Sequence, residues 1–194
     1  PLTTVIASVE SAEDKQKVLT ALGLGDKTPE EIATTDPWAG SEAGDESAQA
    51  IQRVNTQVAT VLKTAAKVSE GGTSDATAVS NSVAQSIASA ATEAADTGAS
   101  VDLSEPDTIG DVLEDAAEDA GVEVDEAVVD AVASAVSVVN TAAADTTVNP
   151  TSTVAIEIAQ AAEETIEEDV ADVVSGESSV EEFEESTTAD AILG

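Results

Sequence analysis

Clusters of acidic side chains are the groups in this chain whose spacing suits a chemical role. Glu114 and Glu118 lie four residues apart, as do Asp115 and Asp119. A second cluster repeats this spacing and consists of Glu163, Glu164, Glu167 and Glu168. Like charges at this spacing on a helix repel one another unless a cation lies between them. Because Ca²⁺ takes about six to eight oxygen ligands, all of these acids are candidate calcium ligands. The alternative is a solvated helix face.

Catalysis by paired carboxylates is not predicted, although the acids are numerous. Such a mechanism needs a cleft in which the environments of two carboxyl groups separate their pKa values. The chain has one Trp, one Phe and no Tyr to hold a sugar ring, and it has no Cys or His. It therefore has no imidazole base, no thiol nucleophile and no zinc site of the usual kind. We predict that the protein is not an enzyme and that Ca²⁺ is its one possible cofactor.

The basic residues are confined to the beginning of the chain. All six lie within the first 67 residues, whereas 30 of the 40 acids follow them, and the net charge is −34. A segment of one sign stays compact only when packing outweighs self-repulsion and the solvent supplies screening or counter-cations. We therefore predict an extracellular or cell-surface protein of a salty environment, from a marine or halophilic microbe.

The same charge restricts the partners. Nucleic acids and anionic membranes repel an acidic surface, and no apolar run approaches the roughly 20 residues of a membrane span. We predict that the chain binds no nucleic acid and does not insert into membranes. Its expected partners are other copies of itself or other domains of the same long surface protein.

Two aromatic and five basic side chains are candidate partner contacts. Trp38 and Phe183 are each interpreted either as a local anchor within the fold or as a hot spot for a partner. We expect the bases to meet acids of later helices or of a neighbouring copy. They are Lys15, Lys17, Arg53, Lys63 and Lys67.

Helical periodicity dominates the chain and predicts an all-α fold. Residues 1–9 fit either a short strand or the start of a helix, and later helices begin at capping residues and end at glycines. Long helices are predicted over 45–69, 74–97 and 151–174, and from about 108 and 125. The clearest apolar seam comprises Ile51, Val54, Val58, Val61, Ala65 and Val68. We predict a bundle of about six or seven mostly antiparallel helices with an Ala/Val-rich core, forming one module over 1–194 with a possible subdivision into 1–98 and 104–194.

Short motifs in residues 1–70 carry a resemblance to a known type of protein. They are PLTTVIA at the start, Ala21-Leu22-Gly23-Leu24, Asp36-Pro37 and QRVNTQVATVL from Gln52. This segment resembles a helical module of very long secreted bacterial repeat proteins, the RTX-type and cadherin-like surface adhesins. The resemblance implies a calcium-rich extracellular protein used in adhesion or surface assembly, although the glycine-rich calcium repeats of such proteins do not occur in this chain.

These observations predict a non-catalytic structural module of an extracellular surface assembly, such as an adhesin, a filament or a surface layer. The alternative is a calcium-binding module whose carboxylate clusters become ordered on divalent cations. The two hypotheses differ in what the acids do. In the first they hold water and a diffuse cation atmosphere, and in the second they coordinate specific ions.

Overall fold

The fold is all-α, as the helical periodicity predicts. The computed structural model describes residues 1–69, 76–145, 166 and 169–193, and every regular element within them is a helix. Residues 169–175 are also helical. The named helices are α1 (Leu2–Ala7), α2 (Ala12–Ala21), α3 (Pro29–Thr34), α4 (Pro37–Glu42), α5 (Glu46–Ser69), α6 (Ala76–Thr97), α7 (Pro106–Ala120), α8 (Glu126–Ala144), α9 (Val180–Ser186) and α10 (Ala189–Leu193).

The first four helices are short, and they raise the helix count of the described residues above the predicted six or seven. Residues 2–7 form helix α1, which decides between the strand and the helix that the sequence left open. Ser11 caps α2 by accepting a hydrogen bond from the backbone N–H of Asp14. Thr28 and Glu31 form a reciprocal capping box at the start of α3. Such caps satisfy backbone donors that a short helix otherwise leaves unpaired.

Helix α5 is central and packs against α1, α4, α6, α7 and α8. The predicted seam is buried at every position except Val54, which is partly buried. The opposite face of α5 is buried too, although it is polar, and it consists of Gln52, Thr56, Thr60 and Thr64. The Thr56 and Thr60 hydroxyls donate to the carbonyls four residues earlier, at 2.9 and 3.1 Å. Because these hydroxyls are satisfied within the helix, the threonines are buried at little cost.

Helices α7 and α8 run antiparallel. The hydroxyl of Ser137 donates to the carbonyl of Ser104, just before α7. Gly110, in the first half of α7, faces Ala133, and the end of α7 lies beside the start of α8. The two helices therefore pair along their lengths.

Polar contacts also join α8 to the centre of the fold. The Asn140 side chain, which is fully buried, donates to the Leu103 carbonyl at 2.6 Å. Gln57 of α5 donates to the Ser104 hydroxyl at 2.9 Å. The bond between Gln57 and Ser104, together with the packing of α5 on α8 and of α6 on α7, crosses the possible subdivision between 1–98 and 104–194.

Helix α8 is the core helix of the C-terminal half, and the structure confirms the helix predicted from about residue 125. Among the described residues it alone is long and apolar enough to cross a membrane by length and composition. Its Val132, Val136 and Val139 are fully buried inside the chain. A buried core helix of a folded domain has the same composition, so this observation alone does not indicate a membrane span.

The C-terminal helices α9 and α10 pack on α8. Ser179 caps α9 in a capping box with Glu182. Phe183 and Ile192 are the buried anchors of this segment. Most of the helix predicted over 151–174 lies outside the described residues.

Candidate functional site

An open cleft of about 710 Å³ lies where α7 turns back into α8. Gly121 ends α7 in the left-handed conformation, with φ of 69°, which favours glycine because other residues are strained there. The Val122 N–H then donates to the Ala117 carbonyl at 2.8 Å and reverses the chain. Asp125 starts α8 by accepting a hydrogen bond from the Ala127 N–H at 2.9 Å. The cleft thus occupies the angle between two helix ends.

The cleft has an apolar floor and an acidic rim. Ala117 and Val129 are buried, whereas Val122 and Val124 are half-buried. The acids on the rim are exposed, and they are Glu114, Glu118, Glu123 and Glu126. No basic residue is among the residues that line this cleft, so its electrostatic potential is negative and it favours cationic groups.

The predicted metal ligands are only partly brought together. Glu114 and Glu118 line the cleft, whereas Asp115 of the same helix is exposed and does not. The side chain of Asp119 and the whole of the second cluster, Glu163, Glu164, Glu167 and Glu168, lie outside the described residues. In the part of the chain that is described, no group of three or more acids lies close enough to hold a metal ion. Glu123 and Glu126, which share the cleft, were not predicted, because their separation in sequence shows no helical spacing with Glu114.

Among the predicted partner contacts, Lys17 meets an acid of a later helix. Its ammonium lies 2.7 Å from the Asp96 carboxylate of α6, with Glu13 and Asp14 at 3.9 and 3.8 Å. The hydrogen bond to Asp96 raises the pKa of Lys17 above its ordinary 10.5. The ion pair joins α2 to the end of α6, the kind of contact that the charge asymmetry predicts.

The other bases differ from Lys17. Within the described residues, no salt bridge joins Lys15 or Arg53 to an acid, whereas Lys63 and Lys67 interact with other groups of the chain. Lys27, which was not a predicted contact, forms an ion pair with the adjacent Asp26. Lys17 is therefore a base that joins two helices distant in the sequence, α2 and α6.

The two aromatic residues have opposite environments. Trp38 in α4 is 45% exposed, the one exposed large apolar side chain among the described residues. Phe183 is 1% exposed and lies in the chain's own core. Its ring is an internal anchor of α9, so a partner contact through Phe183 requires α9 to leave the core.

No protein-family model, curated protein or solved structure matches the chain. Its fold and its cleft define it as an acidic all-α protein with a small-residue core. The resemblance of residues 1–70 to a module of long secreted repeat proteins stays a prediction.

Proposed function

We propose that the chain is a non-catalytic structural module of an extracellular surface assembly, such as an adhesin, a filament or a surface layer. In this role its helices form one mostly antiparallel bundle, and copies or neighbouring domains of the same long protein are its partners. The polyanionic exterior holds water and cations in a salty medium. The module acts by shape and surface charge, without a catalytic group.

The observation that carries this proposal is the segregation of charge from packing on α7. Ile109, Val112 and Ala116 are buried on one side of this helix, while Asp111 and Glu114 are exposed on the other. The core of α8 is likewise made of Val and Ala. Small apolar side chains permit close helix packing, and the one-sign surface keeps the module hydrated. Both properties suit a spacer or scaffold in a saline medium.

Assembly is tested by measuring molar mass across protein concentration. Analytical ultracentrifugation in high salt is expected to show mass rising with concentration, because screening removes the repulsion between copies. The same measurement in low salt is expected to show monomers. A strict monomer at every concentration and salt level contradicts assembly between copies.

A calcium-binding module is the second candidate, because Glu114 and Glu118 line one cleft with two further acids. Among the described residues no three acids lie close enough to hold a metal ion, so this role requires Ca²⁺ to draw the carboxylates together. Calcium titration followed by circular dichroism tests it directly. A saturable gain of helix that sodium at equal ionic strength does not reproduce would support specific binding. Equal responses to both salts would support the structural module with a diffuse cation atmosphere.

A further inference from the structure

The cleft between α7 and α8 combines two surfaces of different chemistry. Its floor is apolar, formed by Ala117, Val122, Val124 and Val129, and its rim is formed by carboxylates. A group that satisfies both surfaces needs an aliphatic stem and a cationic end. Lys and Arg have this composition, since they bury their methylene groups along apolar surface and keep the charge in water.

We propose that this cleft docks a basic amphipathic segment of a partner protein, one that presents two or more Lys or Arg side chains beside apolar ones. In this complex the apolar residues cover the cleft floor. The cationic groups meet the carboxylates of α7, the turn and α8. The docking role concerns the cleft alone and does not depend on the surface-assembly function.

The arrangement of the carboxylates favours a peptide over a single metal ion. Glu114 and Glu118 project from α7, Glu123 lies in the turn, and Glu126 lies at the start of α8. Within the described residues no three acids converge on one point. A peptide brings its charges on separate flexible stems, so each cation can meet a different carboxylate. The cleft volume of about 710 Å³ lies within the roughly 300–1,000 Å³ of ligand sites, which is room for several side chains.

Charge complementarity indicates a partner other than a second copy. The whole chain carries a net charge of −34, so two copies repel each other at long range, whereas a basic segment is attracted. Such attraction raises the association rate and weakens as salt is added. The cleft therefore recognises opposite charge and apolar contact together.

The test is a binding titration in which the protein is added to a fluorescently labelled amphipathic helical peptide that carries Lys on one face and Leu on the other. The ionic strength is about 0.15 M, where the Debye length is ~8 Å. The double variant Glu114→Gln/Glu118→Gln is expected to weaken binding by about fivefold or more, since two exposed ion contacts are lost. The matched control is Asp111→Asn/Asp115→Asn. It removes the same charge at the same spacing from α7, but outside the cleft, and is expected to change binding by less than about twofold.

The apolar part of the site is tested separately. Val124→Ser is expected to weaken binding of the Lys/Leu peptide while leaving unchanged the weak binding of a peptide with Gln in place of Leu. Circular dichroism of each variant checks that the fold is intact. If both acidic double variants weaken binding equally, attraction is a property of the whole surface and the docking proposal is wrong. If spermine displaces the peptide at equal charge concentration, the cleft binds small polyamines, and the proposal is wrong in its choice of partner.

Discussion

At the scale of single residues, helix starts depend on a few capping side chains. Ser179 is one of them, because its hydroxyl accepts from the Glu182 N–H at 3.2 Å while its own N–H donates to the Glu182 carboxylate at 3.0 Å. The bond from the Ser179 backbone N–H, as the largest cause, and a bond that the Ser179 hydroxyl donates to the same carboxylate lower the pKa of Glu182 below its ordinary 4.5. A lowered pKa in the folded state means that this carboxylate stabilises the fold above about pH 4.5 and loses that effect as the pH falls through the lowered value.

Replacing Ser179 with Ala is expected to lower the free energy of unfolding by about 1 kcal/mol, measured by urea denaturation followed by circular dichroism. The difference in free energy of unfolding between this variant and the unchanged protein is expected to become smaller below about pH 4.5. Ser179→Thr is the control, since Thr also caps helices in a capping box. If Thr costs as much as Ala at this position, the capping interpretation is wrong.

The buried threonines of α5 give a second prediction at this scale. Thr60 is 1% exposed, and its hydroxyl bonds to a carbonyl that the helix already uses. Thr60→Val keeps the shape and removes the hydroxyl, so the free energy of unfolding is expected to change by less than about 1 kcal/mol. The neighbouring Val61→Ala, at a fully buried site, is expected to cost about 2–3 kcal/mol, because it deletes apolar volume. A large loss in Thr60→Val would mean that the hydroxyl has a further buried partner.

At the scale of helices, two glycines differ in the space that surrounds them. A Cβ at Gly40 of α4 would lie 2.5 Å from the Cβ of Ala48 in α5, closer than carbon atoms can approach. A Cβ at Gly110 of α7 would lie 3.9 Å from the Cβ of Ala133, which is an ordinary van der Waals contact.

Gly40→Ala is therefore expected to destabilise the protein by about 1–3 kcal/mol and to displace α4 from α5. The single Trp of the chain, Trp38, lies in α4, so its fluorescence reports that displacement. Ala48→Gly in the same protein is expected to restore the emission and only part of the stability, because glycine itself costs about 0.5–1 kcal/mol relative to alanine within a helix.

Gly110→Ala is the matched substitution with the opposite expected sign. Alanine fits the available space and loses less entropy in a helix, so a gain of about 0.5–1 kcal/mol is expected in urea denaturation. Equal effects of the two glycine substitutions would contradict the different packing distances at these sites.

At the scale of the whole molecule, net charge opposes the compact state. The net charge is −34 on 194 residues. Repulsion within the chain is strong at 0.01 M salt, where the Debye length is ~30 Å, and weak at 1 M salt, where it is ~3 Å. The melting temperature is expected to rise by at least about 5 °C over this range, which corresponds to about 2 kcal/mol for a chain of this length. A melting temperature that does not respond to salt would mean that self-repulsion is minor in the folded state.

The ion pair between Lys17 and Asp96 is expected to respond to salt in the opposite direction to the net repulsion, because it is an attraction that salt weakens. It therefore serves as a control for the effect of salt on the melting temperature. Screening weakens an exposed ion pair, so Lys17→Met is expected to destabilise the protein slightly in low salt and not in high salt. Because its pKa is raised in the folded state, Lys17 stabilises the fold at neutral pH, and this effect is lost as the pH rises through the raised value, above 10.5. Thermal melts at both salt levels measure the difference.

Local patterns determined most of the helices, because apolar period and capping residues act within a few turns of the chain. Two features were found in this way: the apolar seam that contains Val58 and Val61, and the acids on the exposed face of α7. Residues 1–9 were not, since their β-branched composition fits strand or helix until packing decides. The buried threonine face of α5 was missed because Thr in a helix is usually taken as exposed.

By itself, the sequence determined an acidic, all-α chain with a core of small side chains, since charge and periodicity are properties of the residues. Only the tertiary structure decided that Glu114 and Glu118 share a cleft with Glu123 and Glu126, and that Phe183 is an internal anchor. It also decided that Lys17 of α2 forms an ion pair with Asp96 of α6. These neighbours depend on how antiparallel helices turn and align, which is set by packing between distant segments and leaves no local signal in the sequence.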